Sequence, residues 1–373
     1  MQYELRVVVA GTTAPSSTGT VSSFNGRTGA VTPASGDYTA AQVGAVNALS
    51  ISAARNNVIN GGMDIWQRGT TFSNPNNVYT ADRWLTTRYG GTGWTVSQTT
   101  AGSGLPQIQY ALRIQSNSGS TAGGTYAYQA IETANSLPFV GQTVTLSFYA
   151  RIGALYSGAG STNMTIQTGT GTDQSLYSGF TGQATALTIA PGSGGQPALS
   201  TTWQRYSATT SSAIASTVTQ LGISLLTGGT GTAGATDYID ITGVQLEIGS
   251  TATAFSRAGG TIQGELAACQ RYYQTYPNPP LKGLVTSTNQ PSRMGTILPV
   301  VMRATPSNSL VGSISLYDGG NTATSSAITV GYQTASFIEF DLNVASGTLT
   351  AYRPCIAYNN SSVTGTLNLS AEL

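Results

Sequence analysis

Along most of this 373-residue chain, apolar and polar positions alternate in short runs bounded by glycine-rich turns. A period of two is the pattern of a strand with one buried face. It is clearest over Thr143 to Arg151, where Val144, Leu146, Phe148 and Ala150 interleave with Thr145, Ser147 and Tyr149. Further strands are predicted over Ala111–Gln115, Thr125–Ile131, Asn163–Thr168, Trp203–Thr209 and Leu221–Leu226. In the run from Tyr238 to Ile248 the parity slips, from Ile239 and Ile241 to Val244, Leu246 and Ile248, with Gly243 at the slip. That pattern predicts a β-bulge at Gly243, the alternative being a strand whose inner face carries Tyr238 and Asp240. Beyond Leu281 the alternation resumes over Gly283–Thr286, Gly295–Met302, Ser313–Tyr317, Ile328–Tyr332, Ser336–Leu342, Thr348–Tyr352 and Thr364–Leu369.

One stretch has helical spacing. Ile262, Leu266, Cys269 and Tyr273 fall on one face, Thr261 is an N-cap, and Pro277, Pro279 and Pro280 mark the stop. Before residue 56 the chain is poor in large apolar side chains. Met1 to Ala10 reads as one strand without a local partner, Gly11 to Thr20 as a linker, Asn25-Gly26 as a tight turn, and Tyr38 to Ala45 as a single helical turn. From Arg55 to Trp84 the mass returns: Val58 and Ile59 meet a turn at Asn60-Gly61-Gly62, followed by Met63, Ile65, Trp66 and Trp84. The expectation is therefore an all-β protein. Residues 1–55 form an attachment segment of strand and extended linker, residues 56–258 a jelly-roll β-sandwich, and residues 259–373 a short helix plus a smaller β-sandwich.

Composition narrows the chemistry. Charged residues are only 8% of the chain and the net charge is +1, so no basic field is available for nucleic acid or an anionic membrane. No window reads as a membrane span, and the first residues lack the pattern of a secretion signal. Histidine is absent, which removes His-dependent triads and His-ligated metal sites. Cys269 and Cys355 are too few for a zinc cluster; they read as two buried thiols or as one disulfide. Glycoside cleavage needs paired carboxylates. Asp237 with Asp240, and Glu339 with Asp341, are the sequence-adjacent pairs, and each reads more simply as a solvated face or an arginine partner. Lys282, the sole lysine, is the only amine base for a Ser or Thr nucleophile. The expectation is a protein that is not an enzyme.

Sugar binding asks for less: an aromatic face for the C–H side of a pyranose, and amides or hydroxyls for its OH groups. Trp66, Trp84 and Trp203 sit inside structural motifs and read as core. Trp94 follows Arg88-Tyr89-Gly90-Gly91-Thr92-Gly93 and reads as an exposed loop residue. The candidate glycan-binding residues are Tyr89, Trp94, Tyr126 and Tyr128, with Tyr317, Tyr332 and Tyr358 as alternatives in the terminal region.

Several motifs carry resemblances. Asn57 to Gly69 followed by Tyr79-Thr80-Ala81-Asp82-Arg83-Trp84 resembles the opening of a domain of bacteriophage and prophage tail-fibre proteins. Ser23-Phe24-Asn25-Gly26-Arg27-Thr28-Gly29-Ala30-Val31, leading to Ala40-Ala41-Gln42-Val43-Gly44-Ala45, resembles a linker recurrent in those fibres. Phe255-Ser256-Arg257-Ala258-Gly259-Gly260 with Glu265 to Tyr273 resembles the junction after the same domain. Val144 to Arg151, Trp203 to Ser207 and Tyr238 to Glu247 are similar, in order, to strands of carbohydrate-binding jelly rolls. The resemblance implies a homotrimeric receptor-binding fibre, attached to the virion by residues 1–55 and contacting host surface polysaccharide, located on the phage tail. It also implies a structural Ca²⁺ between first and last strands, for which Asn60, Asp64 and Asp240 occupy corresponding places although the fuller acidic set is not apparent. No other cofactor is expected. A virion structural or decoration protein without glycan binding, and a depolymerase with a subunit-shared acidic site, are the competing readings.

Overall fold

The computed structural model describes residues 55–373 except Pro106, residues 232–233 and residues 289–291. The strand, linker, turn and helical turn expected within residues 1–45 lie outside the described residues. The described strands begin with β1 (Thr71–Ser73), β2 (Val78–Tyr79), β3 (Leu85–Gly90), β4 (Trp94–Thr100), β5 (Tyr110–Ser116) and β6 (Gly123–Ile131). After a four-residue helix α1 (Thr133–Ser136) come β7 (Val144–Ile152), β8 (Asn163–Gly169), β9 (Ala184–Ile189), β10 (Gln204–Thr209), β11 (Gln220–Gly229) and β12 (Tyr238–Ile248).

These strands make two six-stranded sheets, β1-β4-β5-β12-β7-β10 and β2-β3-β6-β11-β8-β9, with antiparallel pairing throughout. In the central strands every second residue enters the space between the sheets. Val144, Leu146, Phe148 and Ala150 of β7 and Ile239, Ile241, Val244 and Leu246 of β12 meet Met164 and Ile166 of β8 and Leu221, Ile223 and Leu225 of β11. The parity slip in β12 is a bulge. The register shifts between Thr242 and Gln245, and Gly243 takes φ +60°, which a residue with a Cβ adopts at a cost. The bulge keeps Val244 and Leu246 inward after Ile239 and Ile241.

The stretch from Asn60 to Trp84 ties the sandwich together as its turn residues suggest. Asn60 sits at φ +56°; its Nδ2 donates to the carbonyls of Ile65 (2.8 Å) and Asp82 (3.0 Å), and its Oδ1 accepts from the Ile65 amide (3.0 Å). Its own carbonyl takes the indole N–H of Trp84 at 3.1 Å. A fully buried polar side chain is tolerated because every hydrogen-bonding atom is used.

Helix α2 (Ile262–Gln270) is capped by Thr261, whose hydroxyl accepts from the Gly264 amide at 3.1 Å. Its docking differs from the apolar face expected. Cys269 and Tyr273 of that face are buried as expected, but Ile262 and Leu266 are exposed and Glu265 is buried instead. The Glu265 carboxylate explains this: it accepts the backbone amides of Asn60 and of Gly259 (2.7 Å), so the helix is anchored by a polar contact. The helix also ends well before the prolines, because Tyr273 belongs to a strand.

That strand, β13 (Tyr273–Tyr276), opens the terminal region, followed by β14 (Lys282–Val285), β15 (Ser292–Ile297), β16 (Ser307–Val311), β17 (Ile314–Tyr317), β18 (Thr322–Gln333), β19 (Phe337–Gly347), β20 (Pro354–Tyr358) and β21 (Thr366–Ser370). The all-β class holds, but the strands close on themselves rather than stacking as two layers. β14-β15-β19-β18-β17-β20 form a closed barrel, and β13-β21-β16 a three-stranded sheet sharing its core. Closure needs strong strand curvature, and the β18–β19 pair supplies it through register shifts at Thr324/Ser325, Ser325/Ala327 and Val330/Tyr332. The strand expected over Thr348–Tyr352 is a turn, with Tyr352 at φ +65°.

Cys269 is a buried free thiol and Cys355 lies inside the barrel core, so the two are not bridged to each other. Among the described residues no helix is long and apolar enough to cross a membrane.

Candidate functional site

The two sheets have contrasting outer faces, and only one of them is open. On the first sheet, Asp240 of β12 has Arg113 of β5 and Arg151 of β7 as its direct cross-strand neighbours. Arg113 grips both carboxylate oxygens, at 2.7 and 2.9 Å, and Arg151 Nε adds a third bond at 2.9 Å. The guanidiniums stack on aromatic rings: Arg113 over Tyr238 at 3.6 Å, Arg151 over Trp203 at 4.6 Å, Arg205 over Tyr149 at 5.6 Å. Ala101, Leu105, Ile108 and Phe255 pack over this layer, against Tyr149 and Trp203. The face is closed by its own side chains.

The outer face of the second sheet carries a tyrosine row. Antiparallel register puts Leu85, Thr87 and Tyr89 of β3 opposite Tyr128, Tyr126 and Gly124 of β6, which in turn face Ser224, Leu226 and Gly228 of β11. Tyr126 and Tyr128 are stacked, with ring centroids 5.1 Å apart and planes 11° from parallel; Tyr89 tilts onto Tyr126 at 5.3 Å. Gly124 makes room for this. A Cβ there would lie 2.4 Å from Tyr89 Cε1 and 2.8 Å from the Thr227 carbonyl, so the Tyr89 ring lies across bare backbone. Tyr89 is 47% exposed, Tyr126 and Tyr128 partly so.

Beside the row runs a groove of about 420 Å³, lined by Tyr126, Tyr128, Gln167, Tyr177, Gln183 and Ser224 among others. The β8–β9 connection, residues 170–183, forms one wall. On the floor Gln167 Nε2 donates to Thr165 (2.8 Å) and Thr185 (3.0 Å), and Gln183 Nε2 to Gln167 Oε1 (3.2 Å). No lining residue carries a charge. Burial pushes the Tyr126 and Tyr128 phenols above their ordinary range, with neighbouring phenols adding to it, so both rings stay neutral well past physiological pH. A flat neutral aromatic floor flanked by amides and hydroxyls can stack on a C–H face while exchanging hydrogen bonds with hydroxyls.

Of the four sequence candidates, three therefore meet: Tyr89, Tyr126 and Tyr128. Trp94 does not. It begins β4, pairs with Ser116, and is buried to 1% in the main core, because the glycine-rich loop ends one residue earlier and Trp94 shares the inward parity of Val96. Gln167, Tyr177, Gln183 and Ser224 were not singled out by sequence. For Gln167 a signal existed, since it has the outward parity of its strand, opposite to Met164 and Ile166.

The calcium candidates are already engaged by protein groups. Asn60 is consumed by its turn, Asp64 pairs with Arg257 at 2.9 Å, and Asp240 is held between two arginines. Among the described residues no three His, Cys, Asp or Glu side chains are grouped to hold a metal ion. Asp237, paired in sequence with Asp240, is fully buried and accepts instead from the amide (3.0 Å) and hydroxyl (2.7 Å) of Ser157. Glu339 and Asp341 do share an outward face of β19, where each pairs across strands with β15 and β18 residues, Arg293 among them. In the barrel, Tyr317 and Tyr332 are exposed and Tyr358 half-buried; Tyr332 has Phe337 as its ring neighbour, at 6.2 Å.

No protein-family model and no curated protein matches this sequence. Solved structures with similar coordinates include the enzymatically active domain of tailspike protein 4 of bacteriophage CBA120, at 13% identity and TM-score 0.33, covering 53% of this chain and 22% of that one. A xylan-binding domain of CBM 22 is similar at 17% identity and TM-score 0.27, covering 50% of this chain and 99% of that one. A Stig cyclase from Fischerella, solved with an indole compound, is similar at 13% identity and TM-score 0.30, covering 54% and 100%. Scores at this level leave the function to be read from the groove itself.

Proposed function

We propose that the tyrosine face of the second sheet binds a neutral glycan chain, and that the protein is the receptor-binding part of a phage tail fibre. The observation that carries the first half is the stacked Tyr126–Tyr128 pair beside the hydrogen-bonded Gln167, Gln183 and Thr185, in a groove without charge. An uncharged lining gives no attraction to an anionic polymer and no carboxylate pair for glycoside cleavage, so the reading is binding without hydrolysis. A single groove of this kind holds its ligand weakly; presented in three copies it gains about 10²–10⁴ in avidity when the copies engage one surface. The fibre half of the proposal is supported by the residue motifs at 23–45 and 57–84, and it makes residues 1–55 the part that trimerises and meets the virion.

Affinity electrophoresis of the full chain through gels containing xylan, mixed-linkage β-glucan, dextran or a bacterial capsule tests the binding. Retardation by at least one neutral polymer, lost in Tyr126→Ala, is expected; equal mobility in all of them would overturn the glycan reading. Light scattering after size exclusion tests the assembly, with a trimer expected and a monomer at micromolar concentration contradicting it.

A further inference from the structure

We propose that residues 371–373, together with Arg303, brace the wall of the tyrosine groove, so that side chains outside the groove set its affinity. Leu176 and Phe180 of the 170–183 wall belong to a small apolar cluster, with Ala130, that is separate from the main core. Packed against that cluster are Tyr128, from the groove floor, and Leu373. Leu176 also lines the groove. Wall, floor and residue 373 thus share one contact set.

The position of residue 373 is fixed from two sides. On the sandwich side, Tyr79 Oη donates to its carbonyl at 2.9 Å, and Glu372 is paired with Arg68 (2.9 Å) and with the buried Arg83. Arg83 in turn donates to the Ala130 carbonyl at 2.8 Å, beneath the same cluster, and stacks on Tyr272 at 3.5 Å. On the barrel side, Arg303 Nε and Nη2 donate to the carbonyls of Ala371 (3.0 Å) and Glu372 (3.1 Å). The remaining nitrogen of the same guanidinium, Nη1, lies 3.5 Å from Asp173 Oδ2, in the wall itself. The wall has sandwich anchors too: Thr133 and Asp173 exchange hydrogen bonds at 2.8 and 3.0 Å, and Gln220 holds Gln174 at 2.9 and 2.7 Å. Those anchors grip its first residues, whereas Leu176 to Phe180, the part that lines and backs the groove, rest on the cluster that Leu373 completes.

A wall held in its bound position before the ligand arrives spares the ordering cost of binding. Removing the brace should therefore weaken binding without touching a ligand-contacting group. The affinity arm rests on the glycan reading above; the structural arm does not. In the full chain, amide hydrogen exchange over residues 174–182 is expected to rise at least tenfold in Leu373→Ala and in Arg303→Gln, with β6 and β11 unchanged, and to return to the wild-type rate in Leu373→Met. On any neutral polysaccharide that the wild type binds, both loosened variants should bind three- to tenfold more weakly. Unchanged exchange in the wall, or an equal rise in wall, β6 and β11, would overturn the brace. Loosened exchange with unchanged affinity would overturn its effect on binding. If the wild type binds no polysaccharide while the wall still loosens, the brace stands and the glycan reading falls.

Discussion

The two outer faces of one sandwich are built from similar residue types and are packed in opposite ways. Both carry aromatic rings on alternating strand positions. On the first sheet, Tyr238, Trp203 and Tyr149 each lie under a guanidinium, and two of those guanidiniums, Arg113 and Arg151, converge on one buried carboxylate, Asp240. On the second, the rings of Tyr89, Tyr126 and Tyr128 cover one another and leave an edge in solvent. The lesson is that an aromatic row stays open to solvent only where no internal cation has already taken its face. In a chain with 14 arginines, where those arginines are spent decides which surface stays open.

The strongest way to break the contrast is at Asp240. Replacing it by Ala leaves Arg113 and Arg151 without their shared acceptor, and a loss of about 3 kcal/mol in urea unfolding is expected, with polysaccharide binding unaltered once the protein is folded. Next is Gly124→Ala. The new methyl meets the Thr227 carbonyl and the Tyr89 ring, so about 1–3 kcal/mol of stability should be lost, and binding should weaken because Tyr89 is displaced. Tyr126→Ala should leave stability nearly unchanged yet weaken binding about tenfold, or about 1.4 kcal/mol by titration calorimetry.

The smallest effects sharpen the contrast by their flatness. Binding should change less than twofold between low and high salt, since no lining group is charged. It should also be flat from pH 5 to 9, because the raised phenols of Tyr126 and Tyr128 keep their protons throughout. Stability, by contrast, should vary with pH. Burial raises the Asp82 carboxyl to about 6, against an ordinary value of 3.8. A carboxyl raised on folding destabilises the fold above its folded value and is relieved as pH falls. Acidifying from pH 7 towards 4.5 should thus stabilise the wild type relative to Asp82→Asn, by about 2 kcal/mol.

Much of this architecture was legible in the residues. The alternation in Thr143–Arg151 marks β7, Gly243 marks the bulge, and Thr261 the cap, because each is a local rule acting on a few neighbours. What alternation does not encode is which outer face will be covered. Tyr126 and Asp240 look alike in pattern, and only cross-strand register brings Arg113 and Arg151 to Asp240 and Gly124 to Tyr89. Trp94 misled because glycine density before it suggested exposure, while its parity with Val96 pointed inward. The helix misled in the same manner: apolar spacing favoured Ile262 and Leu266, but the buried contact belongs to Glu265, whose amide partners come from Asn60 and Gly259. Barrel closure depends on bulges between β18 and β19 that no single strand announces.

The most direct test is titration of the full-length protein with the neutral polysaccharide that retards it most, comparing wild type, the Tyr126→Ala/Tyr128→Ala double variant, and Tyr332→Ala in the barrel. Loss of binding in the double variant alone, with all three proteins folded at the temperature of the titration, is the predicted result. Undiminished binding by the double variant, or loss through Tyr332→Ala instead, would contradict the assignment of function to the second sheet's open face.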